Sequence, residues 1–258
     1  MFLPASNPRA IEKARSAGAD LVVLDLEDAV RDEDKGAARV AAVVAALQDF
    51  GGALVAIRVN GSDRAEHALD CRAVRSSEAD LAVLPMVGDP DVLAAFADEV
   101  GKPVLAMIET PGAVLGAAAI ARTPGVVGLI AGTNDLCAGT EIRNEEGRTG
   151  LVTALQSMVL GARAAGVAVF DGVYNRLDDL AGFEAEARQG LQFGFDGKAL
   201  IHPSQVAPAN RAFGSSPAEI EEAAELVAAA SGGAERFRGR MVETLHVDAA
   251  RRLLARTR

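Results

Sequence analysis

The sequence predicts an α/β protein whose main part is a TIM (β/α)8 barrel, followed by a C-terminal helical extension. Short apolar runs of strand length alternate with alanine-rich stretches of helical spacing along most of the 258 residues. Several runs are apolar at consecutive positions, as expected for parallel strands that are covered on both faces. Eight strand–helix units in about 250 residues fit a barrel better than an open sheet, which more often has five or six strands.

The elements are predicted in order along the chain. The eight strands are placed at residues 1–4, 21–27, 54–60, 81–85, 103–109, 126–133, 168–173 and 197–201. Helices are predicted between them, among others at residues 8–17, 37–50, 90–99, 151–165 and 178–193. Neither a GxGxxG nor a GxxxxGK(S/T) motif occurs, so the usual evidence for a nucleotide-binding open sheet is missing.

The strand pattern stops near residue 213, which assigns the barrel to residues 1–213 and the extension to residues 214–258. Three helical segments without strands are predicted in the extension, at residues 217–230, near 234–238 and at 247–255. Gly232, Gly233 and Gly239 mark flexible joints between these segments. Such an extension suits a lid or an element that is exchanged between subunits.

The composition excludes several classes of function. Acidic residues outnumber basic ones by 36 to 26 and only 4% of residues are aromatic, so the chain lacks the surface that nucleic acids require. The longest apolar runs fall far short of the ~20 residues that cross a bilayer, so no membrane contact is expected. Cys71 and Cys137 have no CxxC spacing, which fits a reducing cytoplasm, and neither is a strong nucleophile candidate. An anionic substrate therefore has to meet a local basic pocket.

Polar side chains follow the predicted strands at the end where barrel enzymes carry their catalytic groups. These residues are Asp25, Glu27, Arg58, Asn60, Glu109, Asn134, Asp135, Asp171 and His202. Glu109 and Asp135 are predicted to end strands five and six and stand 26 residues apart, about one β/α unit. Two convergent carboxylates without a thiolate or histidine pair favour a hard cation, Mg²⁺ or Mn²⁺.

The two metal candidates and Arg58 also have a structural interpretation. Glu109 precedes a ready N-cap and N1 pair and its charge could simply favour the next helix, and Asp135 could itself be an N-cap. Arg58 ends an apolar strand, where a guanidinium is costly unless it faces an anion such as a carboxylate or enolate. An ion pair with Glu27 or Asp25 is the alternative, and both can hold at once; these acids then orient Arg58 or metal-bound water.

His202 is interpreted as a capping or hydrogen-bonding histidine, because the sequence contains no GxSxG elbow for a serine nucleophile.

Eight short motifs together resemble one known family. They are FLP at 2–4, LDLEDAV at 24–30, RVN at 58–60, IETP at 108–111, NDL at 134–136, FDGK at 195–198, IHPSQ at 201–205 and GRMV at 239–242. In this order they are similar to the citrate lyase beta-subunit-like family of the HpcH/HpaI aldolase superfamily, which also holds malyl-CoA and citramalyl-CoA lyases. The match extends over nearly the entire chain, and the combination is far more specific than any single motif.

The resemblance implies a TIM barrel that binds Mg²⁺ through Glu109 and Asp135 and cleaves or forms a carbon–carbon bond in a 3-hydroxyacyl-CoA. The products are an acyl-CoA and a small keto acid, such as glyoxylate, pyruvate or an acetoacetate-like acid. Arg58 then stabilises the developing oxyanion, and Glu27 is a further catalytic candidate. Substrate contacts are expected at Asn134 and at the backbone amides of the segment that opens the next helix. That segment comprises Thr110, Pro111, Gly112 and Ala113.

The sequence departs from the family pattern at three positions. Asn7 stands where relatives usually have an arginine, and Met86 stands where they often have a lysine. Glu243 replaces an aspartate that resembles the base supplied by a neighbouring subunit's tail, so Glu243 is the third catalytic candidate. Its side chain is one methylene longer, and a misplacement of about 1 Å can cost 10²-fold in rate.

The resemblance also suggests a homotrimer or a hexamer formed from two trimers. CoA phosphates are expected to bind local cations near the first two strands. The candidates are Arg9, Lys13, Lys35 and Arg39. Two alternatives stay open: a beta subunit of a citrate lyase complex that acts on an acyl-carrier-protein thioester, and a non-catalytic CoA-binding protein.

Overall fold

The structure is a computed structural model that describes residues 1–143 and 147–256. The chain divides into two compact units, Met1–Ala212 and a second unit that begins at Phe213. Within the described residues, no helix is long and apolar enough to cross a membrane.

The first unit is built on eight parallel strands that pair in chain order. They are β1 Phe2–Pro4, β2 Leu21–Asp25, β3 Leu54–Arg58, β4 Leu81–Leu84, β5 Val104–Ile108, β6 Val126–Ala131, β7 Ala168–Asp171 and β8 Gly197–Lys198. The Phe2 N–H donates a hydrogen bond to the Leu200 carbonyl oxygen at 2.8 Å, two residues beyond the end of β8. The predicted α/β alternation with eight parallel strands is therefore confirmed.

Helices connect the strands. They are α1 Pro8–Ala14, α2 Lys35–Ala45, α3 His67–Ser76, α4 Pro90–Val100, α5 Pro111–Leu115, α6 Ala117–Ala121, α7 Thr133–Thr140, α8 Val152–Ala165, α9 Leu180–Phe193 and α10 Val206–Phe213. Short 3₁₀ turns lie at Asp32–Asp34, Thr149–Leu151 and Pro203–Gln205. Successive strands contribute buried side chains to one core cluster, among them Val23, Ala56, Val83, Leu105 and Ile130.

Most strands end earlier than predicted, which matters for the site because the polar residues then lie in loops. β2 ends at Asp25 rather than at Glu27, because the Asp25 carboxylate accepts hydrogen bonds from the Glu27 N–H at 2.9 Å and the Ala29 N–H at 3.2 Å. These bonds turn the chain out of the sheet. In the same way, β5 ends at Ile108, so Glu109 begins the loop that follows it.

The second unit contains two helices and a β-hairpin. Its elements are α11 Pro217–Ala229, β9 Glu235–Phe237, β10 Arg240–Val242 and α12 Thr244–Arg256. The prediction of a helical piece near residues 234–238 is wrong, because β9 and β10 pair as antiparallel strands. Arg238 and Gly239 both have positive φ, +46° and +82°, and such a two-residue turn matches the twist of a hairpin.

Candidate active site

Arg58 ends β3 and is held rigidly by two acidic residues. Its Nε and Nη2 donate to the two carboxylate oxygens of Asp25 at 2.7 and 2.6 Å, and its Nη1 lies 2.7 Å from Glu27 Oε2. The guanidinium also lies 5.4 Å from the centre of the Phe2 ring. The ion pairs expected as the alternative for Arg58 are thus present, and they use only part of its five N–H donors.

Glu27 is a carboxyl group with an unusual environment. Burial raises its pKa to about 8, and the negative charges of Asp28, Glu109 and Asp25 add to this shift, while the Arg58 guanidinium opposes it. Its Oε2 is buried and, although it is paired electrostatically with Arg58, accepts no hydrogen bond of good geometry. A carboxyl group with this pKa can hold or release a proton near neutral pH.

Glu109 follows β5 and is fixed in position from two sides. It is 3% exposed, and its Oε2 accepts a hydrogen bond from the Met86 N–H at 2.6 Å. Met86 can direct its N–H in this way because it has a left-handed backbone conformation, with φ +51°. On the other side lies Gly132, where a Cβ atom would be only 2.1 Å from Glu109 Cγ. Burial raises the pKa of Glu109, and the Met86 hydrogen bond and Arg58 oppose that shift.

Asp135 lies in the first turn of α7 and not at the end of a strand as predicted, because β6 already ends at Ala131. It is not the N-cap of that helix either, since Gly132 occupies that position. The preceding residue, Asn134, accepts a hydrogen bond through its Oδ1 from Asn175 Nδ2 at 2.7 Å. The negative charge of Asp135 contributes to the raised pKa of Glu109.

One cavity of about 390 Å³, here called the central cavity, brings Arg58, Glu109, Asn134 and Asp135 together. Its remaining wall is largely apolar and includes Phe2, Leu3, Met107, Ile130 and Val173. A neighbouring cavity of about 520 Å³ is lined by Glu27 and also by Asp28, Glu109 and Asp135. The carboxylates thus lie between an apolar pocket and a polar one.

The helix start at residues 110–113 takes a structural role. Thr110 is the N-cap of α5, and its Oγ1 accepts the Ala113 N–H at 3.1 Å. Pro111 has no N–H to offer. Thr110, Pro111 and Gly112 are not among the described residues that line the central cavity. The segment directly follows Glu109, but its described residues do not contribute to the wall of the central cavity.

A third cavity, of about 720 Å³, opens beside α1 and is here called the α1 cavity. Arg9, Lys13 and His202 line it, and the described residues around it include no aspartate or glutamate. Asn7 also lines it but uses its side chain to cap α1, where Oδ1 accepts the Arg9 and Ala10 N–H groups at 3.1 and 3.2 Å. His202 caps the 3₁₀ turn that follows it, as expected, because Nδ1 accepts the Ser204 N–H at 3.2 Å.

Two predicted CoA contacts lie elsewhere and are already used inside the protein. Lys35 is 5% exposed, and its Nζ donates to the Leu26 and Glu27 carbonyl oxygens at 3.0 and 3.1 Å and to Asn60 Oδ1 at 2.7 Å. Arg39 pairs with Glu66 and with the buried Asp70. Such anchored groups are not available to a phosphate, so the expectation for Lys35 and Arg39 is wrong.

Three further observations concern residues outside the central cavity and the metal candidates. Glu243 lies in the second unit directly after β10, and its N–H donates to His246 Nδ1 at 3.0 Å. Cys71 is buried and its thiol pKa is raised to about 12 by burial, which agrees with the expectation that it is not a nucleophile. Within residues 1–143 and 147–256, no three His, Cys, Asp or Glu side chains form a ready metal-binding cluster.

Sequence reasoning missed the backbone of Met86, the close approach of Gly132 and the amide of Asn175. The glycine directly after β6 was a weak signal for close packing. The left-handed conformation of Met86 left no signal in the sequence, since methionine rarely adopts it.

The family model and the curated proteins that match this chain point to the same family. Residues 1–203 match the family model described as HpcH/HpaI aldolase/citrate lyase. A (3S)-malyl-CoA thioesterase from Cereibacter sphaeroides (strain KD131) is 39% identical over an alignment of 267 positions, gaps included. The alignment covers 99% of this chain and 93% of that protein. The citrate lyase subunit beta of Leuconostoc mesenteroides subsp. cremoris is 33% identical over 244 residues, with 89% of this chain and 80% of that protein covered.

Solved structures agree with the sequence relatives. The crystal structure of CitE from Mycobacterium tuberculosis in complex with magnesium, acetoacetate and coenzyme A has a TM-score of 0.85 and 31% identity, covering 99% of this chain and 96% of that one. A CitE structure with magnesium and pyruvate has a TM-score of 0.77 and 28% identity, covering 98% of this chain and 95% of that one. The chain therefore belongs to the HpcH/HpaI aldolase/citrate lyase family, as its motifs suggested.

Proposed function

We propose that the protein is a Mg²⁺-dependent carbon–carbon lyase that cleaves or forms a 3-hydroxyacyl-CoA, such as malyl-CoA or citramalyl-CoA. The products of cleavage are a small keto acid and an acyl-CoA. The observation that carries this proposal is the convergence of Glu109, Asp135 and Arg58 on one cavity. Family membership supports it, as do structures of M. tuberculosis CitE in complex with magnesium and acetoacetate or pyruvate, and of the M. tuberculosis citrate lyase beta subunit in complex with oxaloacetate and magnesium.

The donor set around Glu109 fits a hard divalent cation. Glu27, Asp28, Glu109 and Asp135 offer only carboxylate oxygens, which Mg²⁺ and Mn²⁺ prefer. Burial raises the pKa of Glu109, and the charges of Asp135 and Asp28 add to that rise, so a bound cation offsets a real repulsion. We assign Glu109 and Asp135 as the ligands. Two carboxylates are enough, because Mg²⁺ usually keeps several water or substrate oxygens.

When bound, the cation supplies a Lewis acid and a template for the carboxylate and hydroxyl oxygens of the substrate. In the cleavage direction, a carboxylate of the protein takes the hydroxyl proton and the C–O bond becomes C=O. The adjacent carbon–carbon bond breaks, and its electron pair moves into the thioester as an enolate, which then takes a proton to give the acyl-CoA. Arg58, held by Asp25 and Glu27, donates N–H groups to the enolate oxygen.

Two carboxyl groups are assigned to the proton transfers. Glu27 is the candidate inside the described site, because its pKa of about 8 lies near a neutral working pH. Glu243 is the second candidate, supplied by the tail of a neighbouring subunit as the family resemblance implies. We therefore also propose that the protein forms a homotrimer or hexamer. In this oligomer, the C-terminal unit acts as a lid or as an element that is exchanged between subunits.

CoA recognition is assigned to the α1 cavity. Arg9 and Lys13 supply positive charge there, and the absence of acidic residues among the described lining is notable in a chain with a formal charge of −10. Asn134 is assigned to the substrate in the central cavity. Thr110, Pro111 and Gly112 keep their assignment to the keto-acid carboxylate only as a secondary proposal, because they lie outside the lining of that cavity.

We also propose that the eight strands close into a complete (β/α)8 barrel. The hydrogen bond from the Phe2 N–H to the Leu200 oxygen supports this closure, since it links the first strand to the chain just after the last one. A closed barrel would place all strand ends around one central site.

A second candidate function is hydrolysis of the same thioester. It is favoured by the 39–40% identity to (3S)-malyl-CoA thioesterases of C. sphaeroides over 99% of the chain. In hydrolysis, Arg58 would stabilise the tetrahedral oxyanion, and the cation would lend positive charge to the site. Water would form a C–O bond to the thioester carbon, the C–S bond would break, and CoA would leave as the free thiol while the carbon–carbon bond stays intact.

Product analysis separates these functions. The protein is incubated with malyl-CoA, with citramalyl-CoA and with the corresponding acyl-carrier-protein thioesters, each with and without Mg²⁺, and keto acid and free thiol are measured in parallel. We expect glyoxylate or pyruvate without free thiol. Free thiol without keto acid identifies a thioesterase, and turnover restricted to acyl-carrier-protein thioesters identifies a citrate lyase subunit. CoA binding without any Mg²⁺-dependent turnover refutes an enzymatic function.

A further inference from the structure

A largely buried cluster of four charged side chains lies between β7, β8 and α9. Its cations are Arg148 and Lys198, and its anions are Asp171 and Glu186. The Lys198 and Asp171 side chains are 0% exposed and that of Arg148 is 5% exposed. None of the four is among the described residues that line the central cavity. The cluster therefore does not contact a substrate there, and it needs another explanation because burying charges is costly.

The cluster holds both backbone groups of Gly172, the residue that follows β7. Asp171 Oδ1 accepts the Gly172 N–H at 2.8 Å, and Lys198 Nζ donates to the Gly172 carbonyl oxygen at 2.7 Å. Arg148 fixes Asp171 in turn, with Nη1 at 2.6 and 2.7 Å from its two carboxylate oxygens. Lys198 also donates to Glu186 Oε1 at 2.8 Å. Gly172 is thus held through both its N–H and its carbonyl oxygen.

Gly172 packs directly against the start of α7. A Cβ atom at Gly172 would lie 2.5 Å from both Cγ2 and Oγ1 of Thr133, the first residue of that helix. Three residues further on, Asn175 donates to Asn134 at 2.7 Å. Residues 172–175 therefore brace the helical turn that carries Asp135.

A second anchor holds the same segment. Gln205 is 1% exposed, and its Nε2 donates to the Tyr174 carbonyl oxygen at 2.9 Å, while its Oε1 accepts the Ile201 N–H at 3.0 Å. Apolar packing alone would bury this segment without fixing the direction of its carbonyl groups. Lys198 and Gln205 fix that direction at two points.

We propose that Lys198 is a positioning residue: by holding the Gly172 carbonyl, it fixes residues 172–175 against the first turn of α7 and so sets the position of Asp135. This inference rests on the metal-ligand role proposed for Asp135. Groups that orient metal ligands from outside the coordination sphere commonly change metal affinity or activity by 10–100-fold when they are replaced.

The test uses a charge-balanced double variant, Lys198→Met with Glu186→Gln, which leaves Arg148 and Asp171 as a neutral pair. Hydrogen exchange is measured without metal at the Leu136 amide, which donates to the Gly132 oxygen at 3.1 Å as the first bond of α7. We expect exchange at least ~10-fold faster and Mn²⁺ affinity ~10–100-fold weaker. KM for a CoA thioester should change little, because Arg9 and Lys13 lie in a separate cavity.

The matched control is Arg188→Met on α9, which removes only an exposed ion pair with Glu184 at 3.5 Å and should leave both readouts at the wild-type values. Unchanged exchange at Leu136 in the double variant overturns the proposal, and so does faster exchange with wild-type Mn²⁺ affinity. A wild-type protein that binds no Mn²⁺ overturns the proposed metal site instead. If the double variant does not fold, Gln205→Leu removes the second anchor and is judged by the same two measurements.

Discussion

Replacing Gly132 with alanine is the most direct test of how the site is built. The added Cβ atom would lie 2.1 Å from Cγ and 2.5 Å from Oε1 of Glu109. Carbon atoms in contact are separated by about 3.5–4.0 Å, so the glutamate side chain has to move by roughly 1.5 Å. The backbone itself tolerates alanine, because Gly132 has φ −93°. The change therefore acts through the Glu109 side chain alone.

The movement has a predictable cost. Glu109 is 3% exposed and bonded to the Met86 N–H at 2.6 Å, so it cannot shift without losing that bond. A misplacement of about 1 Å commonly lowers catalysis 10²-fold, and we expect a loss of at least that size in kcat for the cleavage of malyl-CoA. Overpacking should lower the free energy of unfolding by about 1–3 kcal/mol.

Three measurements on Gly132→Ala test this reasoning together: Mn²⁺ titration, thioester cleavage and urea unfolding. Gly88→Ala is the control, since a Cβ atom at the exposed Gly88 has no neighbour within 4 Å. We expect weaker Mn²⁺ binding and lower kcat in the first variant and wild-type values in the second. A folded Gly132→Ala protein with wild-type Mn²⁺ affinity would show that the position of Glu109 does not determine metal binding.

Three further predictions follow from the same geometry. Glu109→Ala or Asp135→Ala should abolish Mn²⁺ binding and turnover while the circular dichroism spectrum stays native; full activity in either variant contradicts the metal role. Glu27 has a pKa of about 8 in the folded protein against 4.5 as its ordinary value, so its protonated form stabilises the fold at low pH and that stability is lost as the pH rises. In the presence of a chelator, the free energy of unfolding in urea should thus fall between pH 4.5 and 8 by up to about 5 kcal/mol more for the wild type than for Glu27→Gln. Parallel pH profiles of the two proteins would rule this out. The double variant Arg9→Ala with Lys13→Ala should raise KM for a CoA thioester but not for the matching pantetheine thioester, which lacks the nucleotide phosphates; an equal rise for both places CoA elsewhere.

The sequence carried most of the fold because the strand signal is repeated along the chain. Runs such as Leu21–Asp25 and Val126–Ala131 are apolar enough to be recognised singly, and their regular spacing predicted the parallel arrangement. The hairpin of the second unit was missed because its turn is made by Arg238 and Gly239, and arginine is an uncommon residue at a left-handed position.

The sequence predicted the ion pairs of Arg58 but not the contacts that backbone groups make around them. Arg58 was recognised because a guanidinium at the end of an apolar strand needs an anionic partner, and Asp25 and Glu27 fill that role. Lys35 was misassigned because the sequence cannot show that its ammonium group reaches back to the carbonyl oxygens of residues 26 and 27. Sequence patterns reveal charge, but not whether that charge is already neutralised by a neighbouring loop.

Because the Met86 N–H and not its side chain binds Glu109, the position of this carboxylate does not depend on which side chain residue 86 carries. Since a peptide group provides the anchor, the side chain at position 86, which is half exposed beside the acidic residues, does not take part in holding the glutamate. Exchange of methionine for another unbranched residue can therefore alter the charge of the pocket wall and leave the carboxylate in place. Position 86 is thus a site at which the charge of the pocket wall can be changed, in evolution or by design, without moving Glu109.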